Sequence, residues 1–190
     1  MNRALLSSVK MDCETPDDFY DWLDRCFRFN IDLAASKANT KHPRFYGVKD
    51  NSLHQSWEGE TGWLNPEYGR NIGQWLEKSR DSAQWERAIV VNLVPARVDT
   101  SWWRTFVMQR DGKAGRLRES FYWPATGVHW YRWEGLTAGV YFHDARLPFE
   151  GMDNGAPFPS AVVVFASPKR KRPVPAYRAG DVKFLEGWTW

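Results

Sequence analysis

The chain has little of the chemistry that metals, disulfides or hydrolases require. Its 190 residues include only two cysteines, Cys13 and Cys26, and four histidines, His42, His54, His129 and His143. The cysteines form no CxxC and the histidines no cluster, so no metal site is expected and the thiols read as reduced, as in a cytoplasmic protein. No apolar run approaches the roughly 20 residues of a membrane span, and no signal peptide opens the sequence. A soluble protein without a membrane partner is expected. His143-Asp144 has no GxSxG elbow to serve, which argues against a serine hydrolase. The absence of GxGxxG argues against a standard dinucleotide fold. Charge of one sign is also scarce: the net charge of +3 does not by itself select nucleic acid.

Aromatic residues are plentiful instead, with 12 Trp, 7 Tyr and 11 Phe. Many belong in a core, yet so many Trp leave some for stacking on bases. The length suits one domain, and 43% hydrophobic with 26% charged residues marks a folded chain. Residues 1–13 carry no strong pattern and read as an N-terminal arm. Thr15-Pro16-Asp17-Asp18 starts a helix, with Thr15 as N-cap and Pro16 in the first turn. Phe19, Trp22, Leu23, Cys26 and Phe27 give it one apolar face.

Strands follow over Phe29–Ala34 and near Thr61–Leu64, with a helix between Arg70 and Arg87. Ala88–Val94 reads as a buried strand stopped by Pro95, and Asp99 or Thr100 caps a helix carrying Trp102, Trp103, Phe106 and Val107. Residues 110–136 are basic and aromatic; Arg116, Arg118 and Arg132 suit phosphates, and Tyr122, Trp123 or Trp130 suit stacking, although a solvated insertion packed by its own rings fits as well. Ala138–Phe142 and Ala161–Phe165 read as strands, and a basic tail spans 168–190. Strands alternating with helices predict an α/β domain with a mostly parallel sheet flanked by helices, whose ligands bind beyond the carboxyl ends of the strands.

Two such ends stand out. Asp32-Leu33-Ala34-Ala35-Ser36 offers an acid, able to hold an ammonium group, followed by small residues that let a ligand approach the backbone. Asn65-Pro66-Glu67-Tyr68 offers an amide, a rigid turn with exposed carbonyls and a flat ring. An amide oxygen and a backbone carbonyl can accept both N–H bonds of a base's exocyclic amine, while the ring stacks on the base. A helix-capping Asn at a plain strand–turn–helix junction is the competing reading of the tetrapeptide. Asp50-Asn51-Ser52-Leu53 can accept from an adenine amine or simply form a turn.

The ordered set Glu14-Thr15-Pro16, Asn30–Ser36, Asp50-Asn51-Ser52-Leu53 with Trp57, Leu64–Gly69 and Ala156–Ala161 resembles the phage-encoded DNA N-6-adenine methyltransferases, the Dam-like family, over residues 12 to 167. The resemblance implies a class I S-adenosylmethionine-dependent methyltransferase fold over 14–167, with 110–136 as a target-recognition insert. It implies S-adenosylmethionine as cofactor, double-stranded DNA with a flipped base as partner, and a role in protecting phage DNA in the host cytoplasm. By the same resemblance Asn65, Pro66 and Tyr68 are catalytic. Thr15, Pro16, Asp32, Ala34, Ser36 and Asp50 bind the cofactor, and Val94-Pro95-Ala96 lies near the base pocket. Glu67 departs from the family's second proline. Methylation of cytosine N4, or DNA binding by a fold that has lost turnover, are the alternatives.

Overall fold

The computed structural model describes residues 14–123, 128–143, 146–149 and 158–169. The arm of residues 1–13, residues 170–190 of the basic tail, and residues 156–157 of the run Ala156–Ala161 lie outside them. Helix α1 spans Asp17–Phe27 and α2 spans Ile72–Trp85. The strands are β1 (Ile31–Asp32), β2 (Thr61–Leu64), β3 (Ile89–Pro95), β4 (Leu117–Trp123), β5 (Val128–Trp133), β6 (Thr137–Phe142) and β7 (Ser160–Ala166). They form one sheet in the order β1-β2-β3-β7-β6-β5-β4.

The sheet is not mostly parallel. Only β1–β2 and β2–β3 run parallel; the other four pairings are antiparallel. The physical reason is connection length. Parallel neighbours need a long crossover, which α2 supplies between β2 and β3, whereas β5 and β6 are joined by Glu134, Gly135 and Leu136 and can only form a hairpin. Leu117–Trp123 and Val128–Trp133 accordingly extend the sheet as β4 and β5.

Helices do flank both faces. Phe19, Tyr20 and Leu23 of α1 pack with Trp63, Val91, Leu93 and Val164 on one face. Ile72, Leu76 and Ala83 of α2 pack with Val94, Val163, Phe165 and Trp133 on the other. The alternation along β3 and β7, both buried throughout, feeds both cores. Two glycines are dictated by contact: a Cβ on Gly62 would stand 2.3 Å from Leu33, and one on Gly139 would stand 2.5 Å from the Trp130 ring.

Helix α1 starts one residue later than the sequence suggests. Pro16 is its N-cap, with φ −56° and ψ 137°, and makes no side-chain cap bond. Its carbonyl accepts from Tyr20 N–H at 3.0 Å. The expected helix after Thr100 is a short π-helical turn, Trp103–Val107.

Candidate active site

Because β1, β2 and β3 are parallel and in register, Asp32, Asn65 and Pro95 emerge at the same edge of the sheet. Asp32 pairs with Trp63, and Leu64 with Asn92. Three segments predicted from sequence therefore meet at one edge: the end of β1, the turn after β2, and the start of α1.

Asp32 is only 3% exposed. Its Oδ1 accepts the Ala34 N–H at 3.3 Å and its Oδ2 accepts the Lys41 N–H at 3.0 Å. Burial pushes its carboxyl above the ordinary aspartate value, and the two amide bonds with the nearby His42 and Lys41 charges offset this only in part. The backbone of Asp32 joins the same loop: its N–H donates to Arg44 O at 3.0 Å and its C=O accepts from Tyr46 at 2.9 Å. Residues 40–46 thus fold back along β1 and close over the strand end. Lys41 pins this loop to α1 through Glu14 at 3.1 Å and Asp17 at 2.6 Å. Burial works against the Lys41 ammonium, but the bonds to Asp17 and Glu14 win and its pKa stands above the ordinary lysine value.

Ala34 is half-buried and Ser36 exposed. The Ser36 hydroxyl and N–H both donate to Asn39 Oδ1, at 2.9 and 2.7 Å, which makes a tight turn of 36–39. Asp50 is exposed, and its Oδ2 accepts the Gly47 N–H at 2.7 Å. Gly47 is adjacent to the 34–36 segment, since a Cβ there would lie 3.7 Å from Ala35 O. Asp50 thus stands beside the loop that follows Asp32.

The turn after β2 is built from a half-buried Asn65, a buried Pro66, an exposed Glu67 and a half-buried Tyr68. Asn65 Nδ2 donates to the hydroxyl oxygen of Thr15 at 3.1 Å, across 50 residues of sequence. Thr15 is buried, at 2% exposure. Tyr68 donates weakly from its hydroxyl to Leu93 O at 3.4 Å. Its ring meets Phe158 at 5.6 Å and Phe149 at 6.4 Å, both T-shaped. Phe158 belongs to the run Ala156–Ala161 singled out in the sequence, of which residues 156–157 lie outside the described ones. Phe149 carried no signal in the sequence. Ala96, just past β3, donates its N–H to Pro159 O at 2.8 Å and closes this side of the edge.

Beyond β3 the basic aromatic segment is divided between core and surface. Trp130 is buried, at 3% exposure, and belongs to the α1-side core, so it cannot stack on a base. Arg118 pairs with Glu134 at 2.5 Å and Arg132 with Glu119 at 2.9 Å. Tyr122 remains exposed, with His129 beside it at 4.6 Å between ring centroids. The antiparallel register puts both near the same sheet edge, since Tyr122 pairs with His129, His129 with Val140, and Phe142 with Ala161. Among the described residues there is no cluster of three His, Cys, Asp or Glu suited to a metal, and no helix long and apolar enough to cross a membrane.

The model of the family described as DNA N-6-adenine-methyltransferase (Dam) matches residues 3–112 of the chain. The chain belongs to that family. No curated relative matches it. The Dam match covers Thr15, Pro16, Asp32, Ala34, Ser36, Asp50, Asn65, Pro66 and Tyr68, and ends beyond β3, so β4 to β7 lie outside it.

Proposed function

We propose that this Dam-family chain methylates the N6 amine of adenine in double-stranded DNA, with S-adenosylmethionine as methyl donor and the target base swung out of the helix. The observation that carries this reading is the Asn65-Pro66-Glu67-Tyr68 turn at the carboxyl end of β2, next to the buried Asp32 at the end of β1. The parallel trio β1–β3, with α1 and α2 on opposite faces, supports a class I methyltransferase arrangement.

The residues at the edge fit the donor. An ammonium group needs an anionic acceptor, and Asp32 supplies a carboxylate whose two amide bonds leave lone pairs for a third partner. Ala34 and Ser36 keep the approach to that strand end narrow in side chain, with Asp50 beside them and the Thr15-Pro16 segment across the edge. Bound S-adenosylmethionine supplies an electrophilic methyl carbon on a sulfonium, which leaves as a neutral thioether. In this reading the Asn65 side-chain oxygen and the Pro66 carbonyl accept the two N–H bonds of the adenine amine. That draws its lone pair out of conjugation and toward the methyl carbon. The proton released from the methylated amine passes to water, so no strong base is required. Tyr68 stacks on the flipped base, held by Phe149 and Phe158. Tyr122 and the Arg116 side chain, which forms no ion pair among the described residues, serve as contacts to the flanking DNA.

Digestion of DNA treated with the protein and labelled donor, followed by nucleoside analysis, tests the reading. N6-methyldeoxyadenosine is the expected product. N4-methyldeoxycytidine would move the activity to cytosine, since the same amine grip serves both bases. The exposed Glu67 in place of the second proline favours one rival, a DNA-binding protein without turnover. It predicts salt-sensitive DNA binding and no labelled nucleoside. A role in shielding DNA from restriction in a host cytoplasm accords with the enzymatic reading.

A further inference from the structure

An asparagine amide is nearly symmetric in shape but opposite in chemistry at its two ends, one an acceptor and the other a double donor. A substrate amine that must lose its N–H bonds to acceptors can use only the oxygen. Whatever fixes the NH2 end of Asn65 therefore decides whether the residue can work. That end donates to Thr15 Oγ1 at 3.1 Å.

We infer that Thr15 is the positioning residue for Asn65: by accepting from Nδ2 it turns the amide oxygen toward the substrate amine. This inference rests on the proposed amine-binding role of Asn65. Three observations make Thr15 suited to the task. It is 2% exposed, so water does not compete for its hydroxyl. It is relieved of helix capping, because Pro16 takes the N-cap position. It is also rigidly held: Phe19, Tyr20 and Leu23 anchor α1 in the core, and Lys41 clamps Glu14 and Asp17 on either side of it. The start of α1 and the turn after β2 are thereby registered to each other through this hydrogen bond. A freely rotating amide would present its NH2 group to the amine and lose an acceptor where positive charge develops.

The test compares wild type, Thr15→Val, Thr15→Ser and Asn65→Ala, with S-adenosylmethionine affinity read by calorimetry and kcat read at saturating donor. Thr15→Val keeps the shape and removes the acceptor; kcat at saturating donor, where any change in donor affinity no longer counts, should fall about 10- to 100-fold, the size of the acceptor contact that a turned Asn65 amide would lose at the developing positive charge. Thr15→Ser should restore kcat to within a few-fold. Equal losses in Thr15→Val and Thr15→Ser would mean that packing alone matters and would overturn the inference. So would a Thr15→Val variant whose whole defect is donor affinity. If wild type never methylates and matches Asn65→Ala, the proposed function fails and the inference falls with it, an outcome distinct from a defect confined to Thr15. An NMR spectrum of wild type gives a reading independent of turnover and of the variants' folding. One Asn65 side-chain amide proton should be protected from exchange, and two freely exchanging protons would overturn the inference.

Discussion

The carboxylate of Asp32 accepts the backbone N–H of Lys41 at 3.0 Å, and the Lys41 side chain in turn clamps Glu14 and Asp17. The candidate cofactor acid is thus also the post to which loop 40–46 and the start of α1 are tied. Its burial raises its pKa above the ordinary value of 3.8. Only the carboxylate can hold an ammonium group, so donor binding should weaken as pH falls through this raised pKa, at a higher pH than a solvated aspartate would give. The intrinsic linkage has the opposite sense: a carboxyl with a raised folded pKa contributes less stability as pH rises from the unfolded to the folded value. In calorimetric titrations across pH, Asp32→Asn should bind the donor about 10- to 100-fold more weakly at neutral pH and lose the pH dependence, as expected for removal of a charge-assisted bond.

Tyr68 should act through its ring and not its hydroxyl. The bond to Leu93 O is long, at 3.4 Å, whereas two aromatic rings hold the side chain in place. Tyr68→Phe should therefore retain activity to within a few-fold. Tyr68→Ala should lose base stacking of about 1–3 kcal/mol, seen as a weaker apparent affinity for DNA carrying the target base with donor affinity unchanged.

Glu67 is exposed, and no hydrogen bond or ion pair involves it among the described residues. Glu67→Pro should fold like wild type and methylate at least as fast, because it stiffens the turn and removes a negative charge beside the proposed donor site. A loss of folding stability in thermal unfolding would mean that the turn requires the Glu67 N–H or a φ that proline cannot adopt.

How far the sequence reached is best seen in β3, β5 and Arg80. Ala88–Val94 read as a buried strand because an apolar run interrupted by Asn92 alone and bounded by proline has few other uses, and the strand spans Ile89–Pro95. The strand near Thr61–Leu64 and the polar ends after β1 and β2 were legible for the same reason: composition changes sharply where a strand leaves the core. The direction of the last four strands was not, since apolar pattern reports burial and not pairing. The three-residue link Glu134-Gly135-Leu136 carried the hairpin signal, but Val128–Trp133 shows no two-residue alternation, its buried Trp130 and Trp133 serving opposite cores, and the density of arginine and aromatic residues there suggested a nucleic-acid insert. The Thr15–Asn65 contact was illegible because no local rule joins residues 50 apart. Arg80 was equally hidden: four residues after Leu76 and three before Ala83 it falls on the apolar face of its helix, but the pattern does not show which acids would neutralise an arginine there.

That arginine is fully buried. Its Nη1 lies 2.5 Å from Asp111 and its Nε donates to Asp81 at 2.9 Å, while its guanidinium sits 5.1 Å from the Phe106 ring. Burial works against the Asp111 carboxylate, but the Lys113 N–H and the Arg80 guanidinium outweigh it and hold its pKa below the ordinary value. A depressed folded pKa contributes stability that is present above the unfolded value and lost as pH falls through the folded one. Asp111→Ala should therefore destabilise the fold at neutral pH by about 2–4 kcal/mol, the effect of leaving a buried guanidinium under-paired. Denaturant unfolding should show that deficit shrinking toward pH 3.

The measurement closest to the central claim is transfer of a labelled methyl group to double-stranded DNA by wild type and Asn65→Ala, followed by separation of the nucleosides. Wild type should place the label in N6-methyldeoxyadenosine, and Asn65→Ala should lose at least about a hundredfold of it, the scale of removing a transition-state hydrogen bond. Equal labelling by the two proteins, or none by either while DNA is bound, would contradict that claim.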